Sequence, residues 1–128
     1  MGVDTHSNLK KIIDKITTVN FDTLLISGDL AHNGTPGSYQ TLKEILSPLQ
    51  NNIVVMPGNH DNAENLSQLF GKNLAPNFSL GDWEIITADS VQVAQTSGFL
   101  TQNTLLNLDL SLKNTKAKYN VVVLHHPP

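Results

Sequence analysis

Three short apolar stretches of this chain each lead directly into side chains that bind metal ions or transfer protons. Residues 24–26 precede Asp29, residues 53–56 precede the tetrapeptide Gly58-Asn59-His60-Asp61, and residues 121–124 precede His125. A carboxylate, an amide oxygen and an imidazole together suit Mn, Fe, Zn or Co. His60 directly follows Asn59, and its imidazole can donate a hydrogen bond or a proton to a bound phosphate.

These side chains can share one site if the three stretches are strands that end at the same edge of a sheet. Open α/β folds build their active sites at the carboxyl ends of their strands. The carboxylate of Asp29 has two oxygens and can bridge two cations. Two divalent cations about 3.5–4 Å apart would lower the pKa of a bridging water and hold both oxygens of a phosphoryl displacement. The pattern therefore indicates a phosphoesterase metal site.

The spacing of apolar residues predicts the elements that position this site. In chain order they are a helix over 9–19, a fully buried strand over 24–26, a helix over 35–49, a strand over 53–56, a helix over 62–70, a hairpin of 78–80 with 83–88, a helix over 105–112 and a strand from 118 onward. Ser7 or Asn8 can cap the first helix, Pro36 suits the first turn of the second, and Gly71 ends the third. This order predicts an α/β layered domain over residues 1–128.

Composition excludes several classes of protein. The net charge is −3, and the eight lysines are scattered along a chain without arginine, so we expect no nucleic-acid polymer as a partner. The chain has no cysteine, which excludes a disulfide scaffold and thiolate metal ligands. It has neither an apolar stretch of membrane-spanning length nor the apolar core of a signal peptide. We therefore expect a cytoplasmic protein without a membrane partner.

The three motifs, in this order, resemble those of a known family. Gly28-Asp29, Gly58-Asn59-His60-Asp61 and His125-His126-Pro127-Pro128 resemble the motifs of the calcineurin-like metallophosphoesterases. Further likeness to the cyclic-AMP phosphodiesterase-like branch lies in Gly2-Val3-Asp4-Thr5, Gly28-Asp29-Leu30, the Tyr39 helix, Met56-Pro57 and Gly98-Phe99-Leu100. The resemblance covers nearly the whole chain. It implies a partial layered α/β sandwich in which mixed sheets are flanked by helices.

The resemblance also implies roles for individual residues and a reaction. Asp29 would bridge two divalent ions (Mn, Fe, Zn or Co), Asn59 and His125 would bind one of them, and His60 would contact the scissile phosphate. His126 would be a neighbour of this binuclear centre rather than a ligand, and Asp61 would orient His60 or its turn. The implied reaction is hydrolysis of a small phosphodiester by a metal-bridging hydroxide. The substrate that the resemblance favours is a 3',5'-cyclic nucleotide such as cyclic AMP.

Two motifs of the family are not matched. The family carries an Asp-x-His at the end of its first strand and a Gly-His-x-His after the last motif. Asp4-Thr5-His6 has the first spacing, but only three residues precede it. Its surroundings also resemble the segment downstream of the true motif, so we interpret it as unrelated. The domain is therefore expected to be incomplete at both ends, with partial or no metal occupancy.

Two hypotheses follow from this ligand count. In the first, the chain is a metal-dependent phosphodiesterase. In the second, it is a catalytically incompetent fragment or remnant of that family that still folds. A missing first strand would leave strand edges exposed, and exposed edges pair with one another. The second hypothesis therefore includes a homodimer formed through strand edges.

Overall fold

The computed structural model describes residues 4–74 and 77–127 of the chain. Its elements are α1 (Thr5–Ile16), β1 (Leu24–Ile26), α2 (Pro36–Ile45), a 3₁₀ turn (Ser47–Leu49), β2 (Ile53–Val55), α3 (Ala63–Phe70), a second 3₁₀ turn (Gly71–Asn73), β3 (Asn77–Leu80), β4 (Trp83–Thr87), α4 (Gln102–Asn114) and β5 (Tyr119–Val123). Each predicted helix and strand is present, so the mixed α/β class is confirmed. Gly2, Val3 and Pro128, which contribute to the family resemblance, lie outside the described residues.

The strands form two sheets. β1 and β2 pair in parallel, with Leu24 beside Ile53 and Ile26 beside Val55. In the second sheet, β4 lies between β3, which is antiparallel to it, and β5, which is parallel to it. Asp29 and Asn59 therefore follow strands of the first sheet, whereas His125 follows a strand of the second. The site is formed where the carboxyl ends of both sheets meet.

The main core lies between the first sheet and helices α1 to α3. Its most deeply buried side chains, each at most 3% exposed, are Ile13, Tyr39, Leu46, Val55, Leu66 and Phe70. Each helix contributes one apolar stripe, as an amphipathic helix on a sheet must. The ring of Tyr39 meets that of Phe70 edge to face, with centroids 6.4 Å apart. This core fixes β1 and β2, and through them the loops that follow.

Two local predictions are wrong. β1 was expected to be fully buried, but all three of its residues are half-buried, because β2 is the one strand that pairs with it in the described part of the chain. The first helix begins at Thr5 rather than near Leu9, and its N-cap is Asp4, not Ser7 or Asn8. The Asp4 carboxylate accepts a hydrogen bond of 3.0 Å from the Ser7 amide.

Across residues 4–74 and 77–127, every helix is too short or too polar to cross a membrane. The longest is α4, with 13 residues. A helix needs about 20 apolar residues for that purpose.

Candidate metal centre

The loop that follows β1 adopts a backbone conformation that few residues tolerate. Gly28 has a φ of +106° and Asp29 a φ of +55°. Glycine accepts positive φ without a steric penalty, and aspartate is one of the few other residues that visit it. A Cβ atom on Gly28 would also meet His125 Nδ1 and the backbone of Gly58. The turn therefore brings the Asp29 loop, the Gly58 loop and the end of β5 into direct contact.

The side chains of Asp29, Asn59 and His125 converge in this turn. His125 Nε2 lies 3.3 Å from Asp29 Oδ1 and 3.2 Å from Asn59 Oδ1. The His125 side chain is 16% exposed and that of Asp29 is 39% exposed, so the cluster is accessible from solvent on one side. The three residues come from positions up to 96 apart in sequence and meet only through the fold.

The hydrogen-bond partner of His125 determines what its ring presents to this cluster. Nδ1 lies 2.8 Å from the main-chain oxygen of Ser27. Because a carbonyl oxygen only accepts, Nδ1 carries the hydrogen and Nε2 of the neutral ring presents a lone pair. Nε2 then faces two oxygens that also present lone pairs. Three such acceptors repel one another unless a proton or a metal ion lies between them.

The donor set fits a divalent metal ion. Ligand atoms that surround one ion at about 2.0–2.2 Å lie roughly 3–3.5 Å from each other, and the distances from His125 Nε2 to the two oxygens fall in this range. A main-chain carbonyl that fixes the tautomer is the usual support of a metal-binding histidine. In the part of the chain that the structure describes, however, no group of three or more His, Cys, Asp or Glu side chains gathers into a metal site. The cluster consists of one carboxylate, one imidazole and one amide.

His60 lies beside this cluster and is held from two directions. Its amide donates to Asp29 Oδ1 at 3.0 Å, and its Nδ1 lies 3.3 Å from the main-chain oxygen of His32. The His32 ring stacks on the His60 ring with centroids 5.0 Å apart and an interplanar angle of 26°. Because the His32 oxygen only accepts, His60 Nδ1 carries a hydrogen and Nε2 is the nitrogen available to a ligand. His60 is exposed.

Asp61 joins the two ligand-bearing loops. Its carboxylate accepts hydrogen bonds from the amides of Leu30 and Ala31, at 3.1 and 3.2 Å, and from the amide of Gly58, at 2.8 Å. The hydroxyl of Tyr39 donates to the same carboxylate at 2.8 Å. Asp61 therefore orients the turn through the backbone.

Tyr39 completes this network from the core. Its hydroxyl also accepts a hydrogen bond of 2.9 Å from the amide of Asn62, and its side chain is fully buried. Burial raises the pKa of Tyr39 to about 12, and the adjacent Asp61 carboxylate adds to the rise. Both effects disfavour the tyrosinate. The hydroxyl is therefore a permanent donor at physiological pH.

His126 is placed differently from His125. It is 8% exposed, its Nδ1 lies 2.9 Å from the Ser90 hydroxyl, and its amide donates to the same oxygen at 3.3 Å. Its ring meets that of His125 edge to face at 4.8 Å. The loop at Gly98 packs so closely that a Cβ atom there would meet the His126 ring. Among residues 4–74 and 77–127, the buried Nε2 of His126 has no hydrogen-bond partner.

Asp4 and His6 lie at the start of α1, as its N-cap and in its first turn, and not in this cluster. The hydrogen bonds from Ser7 lower the pKa of Asp4, as expected for an N-cap carboxylate. His6 is exposed on the first turn of the helix. The spacing Asp4-Thr5-His6 therefore belongs to a helix start.

Sequence reasoning did not find the roles of Tyr39 and His32. No local pattern links Tyr39 to Asp61, which is 22 residues away. His32 follows Asp29 by three residues and is exposed, and its stacking on His60, 28 residues further along the chain, is visible only in the fold.

Comparison with known proteins agrees with this geometry. A family model described as "Calcineurin-like phosphoesterase" matches residues 3–128. A "probable cyclic nucleotide phosphodiesterase" of Vesicomyosocius okutanii is 54% identical over 127 residues, which cover 99% of this chain and 54% of that protein. A 3',5'-cyclic-nucleotide phosphodiesterase of Nostoc sp. is 31% identical, over 99% of this chain and 50% of that protein. A "probable glycerophosphodiester phosphodiesterase" of Arcobacter nitrofigilis is 33% identical, over 98% of this chain and 50% of that protein.

The chain spans about half the length of the curated relatives it matches. The family model nevertheless covers nearly all of its residues. Enzymes of this family generally depend on divalent metal ions, which fits the convergence of acceptors at Asp29, Asn59 and His125. This chain belongs to the calcineurin-like phosphoesterase family.

Proposed function

We propose that Asp29, Asn59 and His125 bind a divalent metal ion and form part of the active site of a cyclic-nucleotide phosphodiesterase. One observation carries the proposal. The Ser27 carbonyl fixes the His125 tautomer, so that a lone pair on Nε2 faces Asp29 Oδ1 and Asn59 Oδ1 at 3.3 and 3.2 Å. A cation between these atoms converts a repulsive cluster into a ligand set.

The chain's own residues have separate tasks in this proposal. A bound divalent ion would supply Lewis acidity toward a phosphoryl oxygen. Asp29 contributes the negative charge of the ligand set and holds the His60 amide. Asn59 contributes a neutral oxygen, which leaves the ion electrophilic. The family resemblance further implies that Asp29 bridges to a second ion, whose identity, like that of the first, lies among Mn, Fe, Zn and Co.

His60 acts on the phosphate or on the leaving oxygen. Since Nδ1 donates to the His32 carbonyl, a donor at Nε2 requires the imidazolium form. The positive charge would stabilise an anionic phosphate, and the Nε2 proton would pass to the departing oxygen as a water oxygen bonds to phosphorus and the ester P–O bond breaks. His60 is thus the catalytic residue of the proposal.

Two of the three relatives described above are named for cyclic nucleotides and one for glycerophosphodiesters. The relative of highest identity among them, at 54%, is named a cyclic nucleotide phosphodiesterase. This similarity favours a cyclic nucleotide as the substrate class.

A second candidate is a folded but incompetent part of such an enzyme. It is favoured by the ligand count, because the described residues offer only one carboxylate and one imidazole at the site besides the Asn59 amide. In that case the chain would bind metal weakly and would not hydrolyse phosphodiesters by itself.

The experiment is hydrolysis of cyclic AMP and of bis(4-nitrophenyl) phosphate by the purified chain, with and without added Mn²⁺. Asp29→Asn and Asn59→Ala should abolish any turnover, whereas Asp109→Asn and Asn107→Ala, on the exposed surface of α4, should not. Turnover that all four variants retain would overturn the assignment of the site. Metal binding without turnover would favour the second candidate.

A further inference from the structure

A cleft lies beside the candidate metal centre, between the start of α1, the loop of residues 30–33 and α2. Its volume is about 410 Å³, and its lining includes His6, Leu9, Leu30, His32, Asn33 and Thr41. Pockets for organic ligands usually measure roughly 300–1,000 Å³. The cleft can therefore hold a group much larger than a phosphate.

His32 connects this cleft to the candidate metal centre. It lines the cleft and also stacks on His60 at 5.0 Å, and its carbonyl oxygen fixes the His60 ring. The His60 amide in turn donates to Asp29. A phosphate held by His60 would therefore have its ester substituent next to the His32 ring.

The lining has the chemistry of a site for a planar, partly polar group. About half of the lining residues are apolar, and none of them is acidic, so the cleft does not repel a phosphate ester. In the described part of the chain, neither the His6 ring nor the His32 ring makes a hydrogen bond, so both offer free ring nitrogens. Imidazole faces stack on nucleobases, and ring nitrogens and amides can hydrogen-bond base edges.

We propose that this cleft binds the nucleoside part of a nucleotide substrate, with His32 as the specificity-determining residue that stacks on the base. The inference rests on the proposed function, because it takes His60 as the residue that contacts the phosphate. A glycerol group fits less well, since a small polyol would leave the apolar side chains of Leu9 and Leu30 uncovered. The cleft thus favours nucleotides over glycerophosphodiesters.

The test uses adenosine, which has no phosphate and needs no metal ion. Adenosine, glycerol and inorganic phosphate are titrated separately into the isotopically labelled chain, and the His6 and His32 ring signals are followed by NMR. Adenosine should shift both signals saturably, whereas glycerol should shift neither and phosphate should leave the His6 signal unchanged. His32→Ala should weaken adenosine binding at least about fivefold, and His32→Phe, which keeps an aromatic face, should restore most of it.

Both substitutions keep the His32 carbonyl, which lies beside His60 Nδ1, and change only an exposed side chain, so the fold is retained. A larger cleft, of about 690 Å³, lies between the β3–β4 hairpin and α4 and includes Asn77 and Asn114; it serves as the internal control. Adenosine shifts at that cleft instead, equal affinity in His32→Ala, or no saturable shift would overturn the inference. Adenosine binding that depends on His32 would support it even in a chain that failed to hydrolyse phosphodiesters.

Discussion

The hydroxyl of Tyr39 donates a hydrogen bond of 2.8 Å to the carboxylate of Asp61. That carboxylate also accepts the amides of Leu30 and Ala31, next to Asp29, and the amide of Gly58, next to Asn59. A single hydrogen-bonded pair, of a buried tyrosine and a half-buried aspartate, therefore sets the separation of two of the three proposed ligands. The core of the domain and the geometry of its candidate metal centre are coupled at this point.

The first prediction concerns Tyr39→Phe. The substitution removes the hydroxyl and leaves the Asn62 amide and one lone pair of Asp61 without their partner. Loss of a buried hydrogen bond of this kind costs about 1–3 kcal/mol, and we expect that loss of stability in urea denaturation. The Asp29 and Asn59 loops should also loosen, so metal affinity should fall.

Tyr119→Phe is the matched control for this change. Tyr119 is the other tyrosine of the chain and is 41% exposed. It stacks on Trp83, a contact that phenylalanine preserves. Equal stability of the two variants would contradict the structural role assigned to the Tyr39 hydroxyl.

The second prediction concerns alkaline pH. The pKa of Tyr39 is about 12 in the folded chain, against an ordinary value of 10.0. Below pH 10 the Tyr39 hydroxyl keeps its proton in both the folded and the unfolded states, so the raised pKa contributes its full stabilisation to the folded state. Between pH 10 and pH 12 the unfolded state loses its proton first, and stability therefore falls as pH rises.

Ionisation of Tyr39 should accordingly be visible as a tyrosinate absorbance that develops near pH 12. This absorbance should be missing from the Tyr39→Phe variant. The loss of stability across this interval should be on the order of 2 kcal/mol, and it should be absent from the Tyr39→Phe variant. An absorbance change near pH 10 at Tyr39 would refute the raised pKa.

The third prediction concerns the close approach at Gly58. A Cβ atom there would meet the amide and Oδ1 of Asp29 and the ring of His125. Gly58→Ala should therefore push the ligands apart, weaken metal binding and cost about 1–3 kcal/mol of stability. Gly37→Ala is the control, since a Cβ atom at Gly37 meets nothing within 4 Å. Its stability should be unchanged or slightly higher, and a site variant that behaved like this control would disprove the contact.

The fourth prediction is self-association of the chain. Apolar side chains on α4 and β5 are exposed, among them Leu106 at 52%, Leu110 at 54% and Val122 at 39%. Large exposed apolar patches generally mark protein contacts. Sedimentation should show a dimer whose population rises with concentration. Leu106→Glu combined with Leu110→Glu should reduce it, whereas Val19→Glu, on the α1–β1 connection, should not. A monomer at all concentrations would contradict this prediction, and it would also count against the homodimer through strand edges.

The sequence predicted the elements and the convergence of the three candidate ligands for a physical reason. A short apolar run is recognisable as a strand, and the residue after a strand lies at the edge of its sheet. Asp29, Asn59 and His125 could therefore be placed near one another. That they meet across two separate sheets could not be predicted, because strand pairing depends on contacts between distant residues.

Burial and hydrogen bonds were harder to predict than the elements. The half-burial of β1 depends on which strands pair with it, and the apolar run of residues 24–26 gives no information on that. The hydrogen bond from Tyr39 to Asp61 joins α2 to the loop before α3. It has no local signature in the sequence. The cap at Asp4, by contrast, has a local signature, because an aspartate just before an apolar helical pattern is a common N-cap, but Ser7 and Asn8 were the caps that the sequence analysis offered.

The most direct test of the proposed metal centre is a titration of the chain with Co²⁺, followed by its visible absorption and by the NMR signals of the His125 ring. We expect saturable binding with His125 Nε2 as the ligand and Nδ1 protonated. Asp29→Asn should weaken the affinity at least about tenfold, and Asp109→Asn should leave it unchanged. Binding that Asp29→Asn does not alter, or a His125 ring that Co²⁺ does not perturb, would contradict the assignment of this site.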